Sequence, residues 1–204
     1  MSMLLTRIRV LAWLVLFGVP LVGSVWASRL AELVPGYPVR TERLTLAVMV
    51  GDAREAKRLL AAGADVNAQD ACGCTALHWA VMEGRADLVR VLLDAGADTR
   101  IAALHGDTPL IAAARVRDAA VVRLLLAAGA DPDLTVPNMP SALCAACASG
   151  DVATVDALLS FGADVTLPSP DGTTPMGVAT GFGWEEVVER LKAAGDVTRA
   201  DGFR

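Results

Sequence analysis

The sequence has few histidines and tyrosines, two residue types that often act in active sites. Its 204 residues include two histidines and one tyrosine, and aromatic residues make up 4% of the chain. The motifs typical of serine hydrolases, zinc proteases, P-loop NTPases and dinucleotide-binding folds are missing. These absences exclude most catalytic constellations, so we expect no enzymatic activity, no metal and no cofactor.

The sequence also lacks an excess of positive charge. It carries 18 basic and 23 acidic residues, which gives a net charge of -5. Its basic residues form no stripe, and aromatic residues do not alternate with them. Nucleic acid is therefore not an expected partner, because phosphate binding depends on clustered lysine and arginine.

One stretch near the N-terminus contains no charge at all. Nineteen residues, 10–28, are uncharged and follow Arg7 and Arg9. A run of this length predicts either a membrane-spanning helix or a signal peptide, with a buried soluble helix as the alternative. We therefore divide the chain into a signal or anchor segment (1–28), a linker that ends in Pro35 and Gly36 (29–36) and a remaining domain (37–204).

The side of the membrane on which this domain lies is less clearly indicated. Basic residues stand on both sides of the apolar run, so their count does not fix the orientation. A short basic leader directly before an apolar run is typical of export signals. Arginine far outnumbers lysine and alanine is abundant, a usage suggestive of a bacterial genome rich in GC. We expect a periplasmic domain, and a cytoplasmic orientation stays open.

The domain is organised by a period of 33 residues. Two sets of positions recur at that spacing: Gly63, Gly96, Gly129, Gly162 and Gly195, and Thr75, Thr108, Ser141 and Thr174. A fixed period of this length is typical of proteins built from stacked repeats.

Each repeat predicts a pair of short helices. Thr75 is a suitable N-cap for a first helix, and Gly84 suits the left-handed position that ends it. Apolar residues over 86–95 then mark one face of a second helix, which Gly96 ends. Neither helix is long enough to be stable alone in water, so each repeat must pack against the next.

These residues resemble the ankyrin family. Its pattern is matched at Asp70, Gly73, Thr75, Leu77, His78, Ala80, Gly84, Val89, Leu92, Leu93, Gly96, Ala97 and Asp98. The resemblance implies an all-α solenoid of helix-turn-helix units with β-hairpin-like loops, preceded here by one hydrophobic helix. It implies five repeats, at about 37–69, 70–102, 103–135, 136–168 and 169–201. It also implies a protein-binding scaffold with no shared enzymatic activity.

Some positions depart from the family pattern. Arg117 stands where repeat three should have its capping glycine, and residues 136–140 predict an irregular loop before repeat four. The second helix of repeat five is polar, as suits a C-terminal cap.

The resemblance implies that a protein partner binds the hairpin tips and the concave surface of the first helices. The candidate residues are Met49, Met82, Glu83, Leu104, His105, Asp107, Arg115, Val116 and Phe182. The alternative is that Met82, Val116 and Phe182 extend the core, as apolar residues at helical spacing often do.

The cysteines offer a second function. Cys72 and Cys74 flank Gly73 in a hairpin tip, where we expect both thiols to be accessible. The protein could then be an accessory thiol-redox or metal-handling protein that uses this pair. Cys144 and Cys147 are expected to be buried and inert. His78 occupies the family's buried histidine position, whereas His105 lies beside Asp107 and could serve a metal or proton-transfer site only with ligands from other repeats.

Overall fold

A computed structural model describes the backbone of residues 41–201 and the side chains of residues 43–195. The apolar segment 1–28 and the linker 29–36 lie outside the described residues. Within the described part there are ten helices and no strand. They are α1 (Thr41–Val50), α2 (Ala53–Ala61), α3 (Ala76–Met82), α4 (Ala86–Asp94), α5 (Pro109–Arg115), α6 (Ala119–Ala127), α7 (Ala142–Ser149), α8 (Val152–Ser160), α9 (Pro175–Phe182) and α10 (Glu185–Asp201). None of these described helices has the length and apolar character needed to cross a membrane.

The helices form five consecutive pairs, which we call units one to five. The first helices α1, α3, α5, α7 and α9 contact one another in sequence, and the second helices do the same. Each first helix also packs against the second helix of its own unit. The result is two helical layers with a continuous apolar core between them, in which leucines such as Leu77, Leu92, Leu125 and Leu158 are fully buried.

The predicted caps are confirmed. The side chains of Thr75, Thr108 and Ser141 accept hydrogen bonds from backbone amides three residues ahead, and Thr174 does so in unit five. Arg117 adopts the left-handed conformation expected of the glycine that it replaces, with φ 64°. The local signals that start the first helices are therefore real, because each of these side chains pairs one otherwise unpaired amide of the first turn.

The hairpin tips are closed by hydrogen bonds. In unit two the amide of Asp70 donates to the carbonyl of Cys74 at 2.9 Å, and Gly73 donates back to Asp70. Neighbouring tips also pair, because the amide of Leu104 donates to the carbonyl of Cys72 at 2.9 Å. The loops are thus hairpin-like, although the described residues contain no assigned strand. The loop before unit four is irregular as expected, with Asn138 at φ 63°.

Gly195 shares the 33-residue period of the earlier glycines but has a different place in the structure. This glycine does not end the last helix, which continues from Glu185 to Asp201. The four earlier glycines are each followed by alanine and aspartate, whereas Gly195 is followed by aspartate and valine. In the earlier units the sequence Gly-Ala-Asp ends the second helix and leads the chain into the next hairpin tip. Gly195 lacks this sequence, and the helix continues past it.

The units also interlock beside the loops between their two helices. A Cβ atom added to Gly150 would lie 2.6 Å from the ring of Trp184, and one added to Gly51 would lie 2.7 Å from the guanidinium of Arg85. In both cases a side chain from the following unit crosses the capping glycine of the preceding one. These glycines therefore provide space for the neighbouring unit as well as the left-handed turn.

Candidate protein-binding surface

The ends of the first helices expose large apolar side chains. Met82, Val116 and Phe182 have exposed fractions of 47%, 46% and 63%, so the interpretation of these residues as core is wrong. Met49 is 40% exposed and the charged residues Glu83 and Arg115 are exposed beside them. We call the set of Met49, Met82, Glu83, Arg115, Val116 and Phe182 the first-helix face.

The exposure of this face follows from how the first helices pack. Earlier residues in each helix point into the stack, so Leu77, Ala80 and Val81 in α3 are fully buried. The residues at the C-terminal ends of these helices pack less completely, and about half or more of each of these apolar side chains stays exposed. Large apolar residues exposed at the same ends of neighbouring helices on one scaffold are typical of protein-binding sites.

The tip of unit three adds polar groups beside this face. Leu104 is 80% exposed although its backbone is tied to the tip of unit two. Arg115 donates to both oxygens of Asp107 at 3.0 and 2.8 Å, and Nε2 of His105 lies 3.3 Å from the same carboxylate. The exposed side chains of His105 and Arg115 are therefore held by one acidic group.

Asp107 itself is placed differently from the expectation. Its side chain is only 8% exposed, so it does not offer a contact surface to a partner. It instead orients His105 and Arg115, which remain more than half exposed. Asp107 is thus a positioning residue, and its burial follows from the hydrogen-bonded tip in which it lies.

His78 has a structural role. Its Nδ1 accepts from the amide of Thr75 at 3.1 Å, and its Nε2 lies 3.1 Å from the carbonyl of Asp107 in the next unit. Burial lowers the pKa of His78, although the hydrogen bond to Asp107 acts in the opposite direction. The neutral imidazole therefore joins unit two to unit three, as its position in the sequence pattern implies.

The expectation that both tip thiols are accessible is wrong for Cys74. Cys72 is exposed, but Cys74 is buried, and burial together with the nearby Asp70 raises the pKa of Cys74 to about 11. The cause lies in the next unit, whose tip packs against that of unit two at Gly73. Cys74 is therefore a poor nucleophile at neutral pH, since the thiolate is the reactive form. Cys144 and Cys147 are buried as expected, and burial raises the pKa of Cys147 to about 12.

No cluster of side chains in the described part of the chain resembles a metal site. Groups of three or more histidine, cysteine, aspartate or glutamate side chains with suitable placement do not occur among the residues that the structure describes. His105 and Asp107 lie together, but their third neighbour is the cation Arg115.

A groove between units four and five was not predicted from the sequence. It has a volume of about 790 Å³ and lies open to solvent, with Phe182 on one side. Its walls are mostly small, because Ala145, Ala148, Gly177 and Gly181 line it. A signal for this groove is present in the sequence. Both α7 and α9 have small residues at positions where unit two has larger side chains such as Trp79 and Met82.

The units also differ in charge. Residues 43–130 contain ten acidic and ten basic residues. Residues 131–195 contain nine acidic and two basic residues. Both of these cations are paired within the last helices, Arg190 with Asp156 at 2.9 Å and Lys192 with Glu189 at 2.8 Å. Units four and five therefore carry a strong negative excess that the first three units lack.

Comparison with known proteins agrees with this architecture for the first three units. A family model described as ankyrin repeats, in three copies, matches residues 44–136. No curated protein matches the sequence. Residues 44–136 thus match ankyrin repeats, and such repeats are generally protein–protein interaction modules of a typically non-enzymatic family.

Proposed function

We propose that the protein is a non-enzymatic interaction module that binds a protein partner through the first-helix face and the adjoining hairpin tips. The observation that carries this proposal is the exposure of Met82, Val116 and Phe182 at the C-terminal ends of the first helices α3, α5 and α9. Covering such side chains with a partner lowers the free energy, and a rigid stack reduces the entropic cost of binding because the backbone is already ordered. Units four and five extend the ankyrin array, so that the binding domain spans residues 37–204.

The tip of unit three supplies the polar part of the same surface. Arg115 and His105 lie against the buried carboxylate of Asp107, and the exposed guanidinium of Arg115 has further N–H groups that can donate to carbonyl or carboxylate groups of a partner. A few apolar anchors surrounded by oriented polar groups are typical of protein interfaces.

Photocrosslinking tests the proposal directly. A photoreactive amino acid is placed at Met82, Val116 or Phe182 in the full chain in cells, and at Arg90 and Arg123 as controls. Arg90 and Arg123 are exposed on second helices, so they report nonspecific neighbours. We expect one defined adduct from the first-helix positions and none from the controls. Adducts formed only at Arg90 or Arg123 would contradict the assignment of the surface.

We also propose that residues 1–28 bring the module to the membrane or export it, with the repeats in the periplasm. The support is the uncharged run 10–28 with its short basic leader. A chain that begins at Arg29 should lose membrane association. Reporter fusions after Asp196 should be active when they carry a periplasmic reporter and inactive with a cytoplasmic one. The opposite pattern would overturn the periplasmic assignment.

A further inference from the structure

We propose that the groove between units four and five binds an extended, positively charged segment of the partner, with an apolar side chain against Phe182 and a basic side chain at Asp171. This inference rests on the proposed function and names the chemistry of the partner at one site. The groove is large enough for a chain segment, at about 790 Å³, and its small walls let a backbone approach closely.

The apolar end of the groove is defined by Phe182. This side chain is 63% exposed at the end of α9, and it lines the groove together with Val178 and Gly181. Gly181 has no neighbouring heavy atom within 4 Å of the place where a Cβ would stand, so the space beside the phenyl ring is open. An apolar side chain can therefore cover the ring.

The charged end is defined by Asp171. It is the one charged residue among those that line the groove. The amide and the hydroxyl of Thr173 both donate to Oδ1 of Asp171, at 3.0 and 2.6 Å. These hydrogen bonds lower the pKa of Asp171, so the group is anionic at neutral pH. Within the described chain Oδ2 has no hydrogen bond, and it is available to a cation.

The negative charge of units four and five also favours a basic segment. Residues 131–195 contain nine acidic and two basic residues, and both cations are already paired. A negative field of this kind attracts a basic segment and repels an acidic one. The equivalent part of unit three carries Arg115 and Arg117 instead, so this preference belongs to units four and five.

The length of the groove sets the spacing of the two contacts. Asp171 precedes α9 and Phe182 is its last residue, and the eight residues of α9 extend about 12 Å. An extended chain advances about 3.3 Å per residue. A basic and an apolar side chain about four residues apart can therefore reach both ends of the groove.

Peptide selection tests this assignment. A phage-displayed library of random ten-residue peptides is selected on the full chain purified in detergent, and the enriched peptides are synthesised with a fluorescent label. We expect peptides with arginine or lysine about four residues from an aromatic or aliphatic residue. Their affinity, measured by fluorescence anisotropy, should fall about tenfold with Asp171→Asn and with Phe182→Ala, and it should fall as salt is raised.

Two matched variants serve as controls. Asp164 accepts hydrogen bonds from Thr166 just as Asp171 does from Thr173, but it does not line the groove. Phe161 is an exposed phenylalanine at the end of a second helix. Asp164→Asn and Phe161→Ala should leave peptide affinity unchanged.

The other outcomes separate this inference from the proposed function. Enrichment of neutral or acidic peptides, or equal effects of Asp171→Asn and Asp164→Asn, would overturn the groove assignment. If the peptides respond to Met82→Ala and Val116→Ala but not to Asp171→Asn, the interaction function stands and this inference fails. If no enriched peptide responds to any of these substitutions, both are contradicted.

Discussion

The middle of the stack, units two and three, and its C-terminal end, units four and five, have the same helical packing but different surfaces. Both pairs have buried leucines at equivalent places and first helices with capped ends. Units two and three expose Met82 and Val116 beside an arginine held by Asp107, whereas units four and five form an acidic groove with small walls. The comparison shows that the buried residues determine the helical stack, whereas the exposed residues determine the binding chemistry of each surface.

The largest expected effect concerns the core, where interior and terminal units should differ. Leu125 and Leu191 are both at most 1% exposed, but α6 lies between two second helices and α10 contacts the stack on one side. We expect Leu125→Ala to lower the free energy of unfolding by about 3 kcal/mol and Leu191→Ala by about 2 kcal/mol, because the terminal helix can relax into the cavity. Urea denaturation of both variants measures the difference. Equal losses would show that the last unit is as constrained as the interior ones.

A smaller effect separates two glycines with the same backbone. Gly150 and Gly183 have φ values of 70° and 73°, so an alanine at either costs about 1 kcal/mol for the left-handed conformation. At Gly150 the new Cβ would also meet the ring of Trp184, whereas at Gly183 it meets nothing within 4 Å. Gly150→Ala should therefore destabilise the protein by up to about 1 kcal/mol more than Gly183→Ala. Thermal melting of the two variants provides the test, and identical melting temperatures would argue against the contact with Trp184.

A pH effect should be confined to unit two. Burial lowers the pKa of His78, so in the window between that lowered value and the ordinary value of about 6.5 the unfolded chain binds more protons than the folded one. Stability should therefore rise with pH through this window and fall as the pH drops below about 6.5. Units three to five have Ile111, Cys144 and Gly177 at this position. Urea midpoints at pH 7.5 and 5.5 should differ more for the native chain than for His78→Asn, and equal differences would rule out His78 as the source.

The smallest change affects reactivity rather than stability. In the folded, reduced protein Cys72 should react readily with a maleimide at pH 7, while Cys74, Cys144 and Cys147 react at least about tenfold more slowly because they are buried. Mass spectrometry after partial labelling counts the modified positions. Equal labelling of Cys72 and Cys74 would restore the thiol pair as a candidate for redox chemistry.

The sequence predicted the scaffold because its signals are local. Thr75 and Gly84 mark the ends of a first helix by their own hydrogen bonding and backbone preference. Arg117 has no such preference for the left-handed conformation, and its place in the period was the signal. A helix pair of this kind must stack, so the order of contacts followed from the repeat. The period alone does not show whether a glycine ends a helix, since Gly195 keeps the spacing but lies within the last helix.

The site was predicted less completely because its properties depend on neighbouring units. Whether Cys74 and Asp107 are exposed is decided by the packing of adjacent tips, which the 33-residue period does not describe. The groove likewise depends on which side chains face each other across α7 and α9. The alignment of the repeats suggested that Met82, Val116 and Phe182 are exposed. Whether they lie on the surface or in the core could be decided only from the residues that pack around them.

The measurement that tests the central claim most directly is a comparison of binding and stability in the same two variants. Met82→Ala and Phe182→Ala each remove an exposed apolar side chain, so neither should lower the melting temperature by more than about 2 °C. If these side chains anchor a partner, each substitution should weaken partner capture by about 2 kcal/mol, or about 30-fold in Kd. A melting temperature lowered by many degrees with partner capture intact would contradict the account, since both side chains would then serve the core and not the interface.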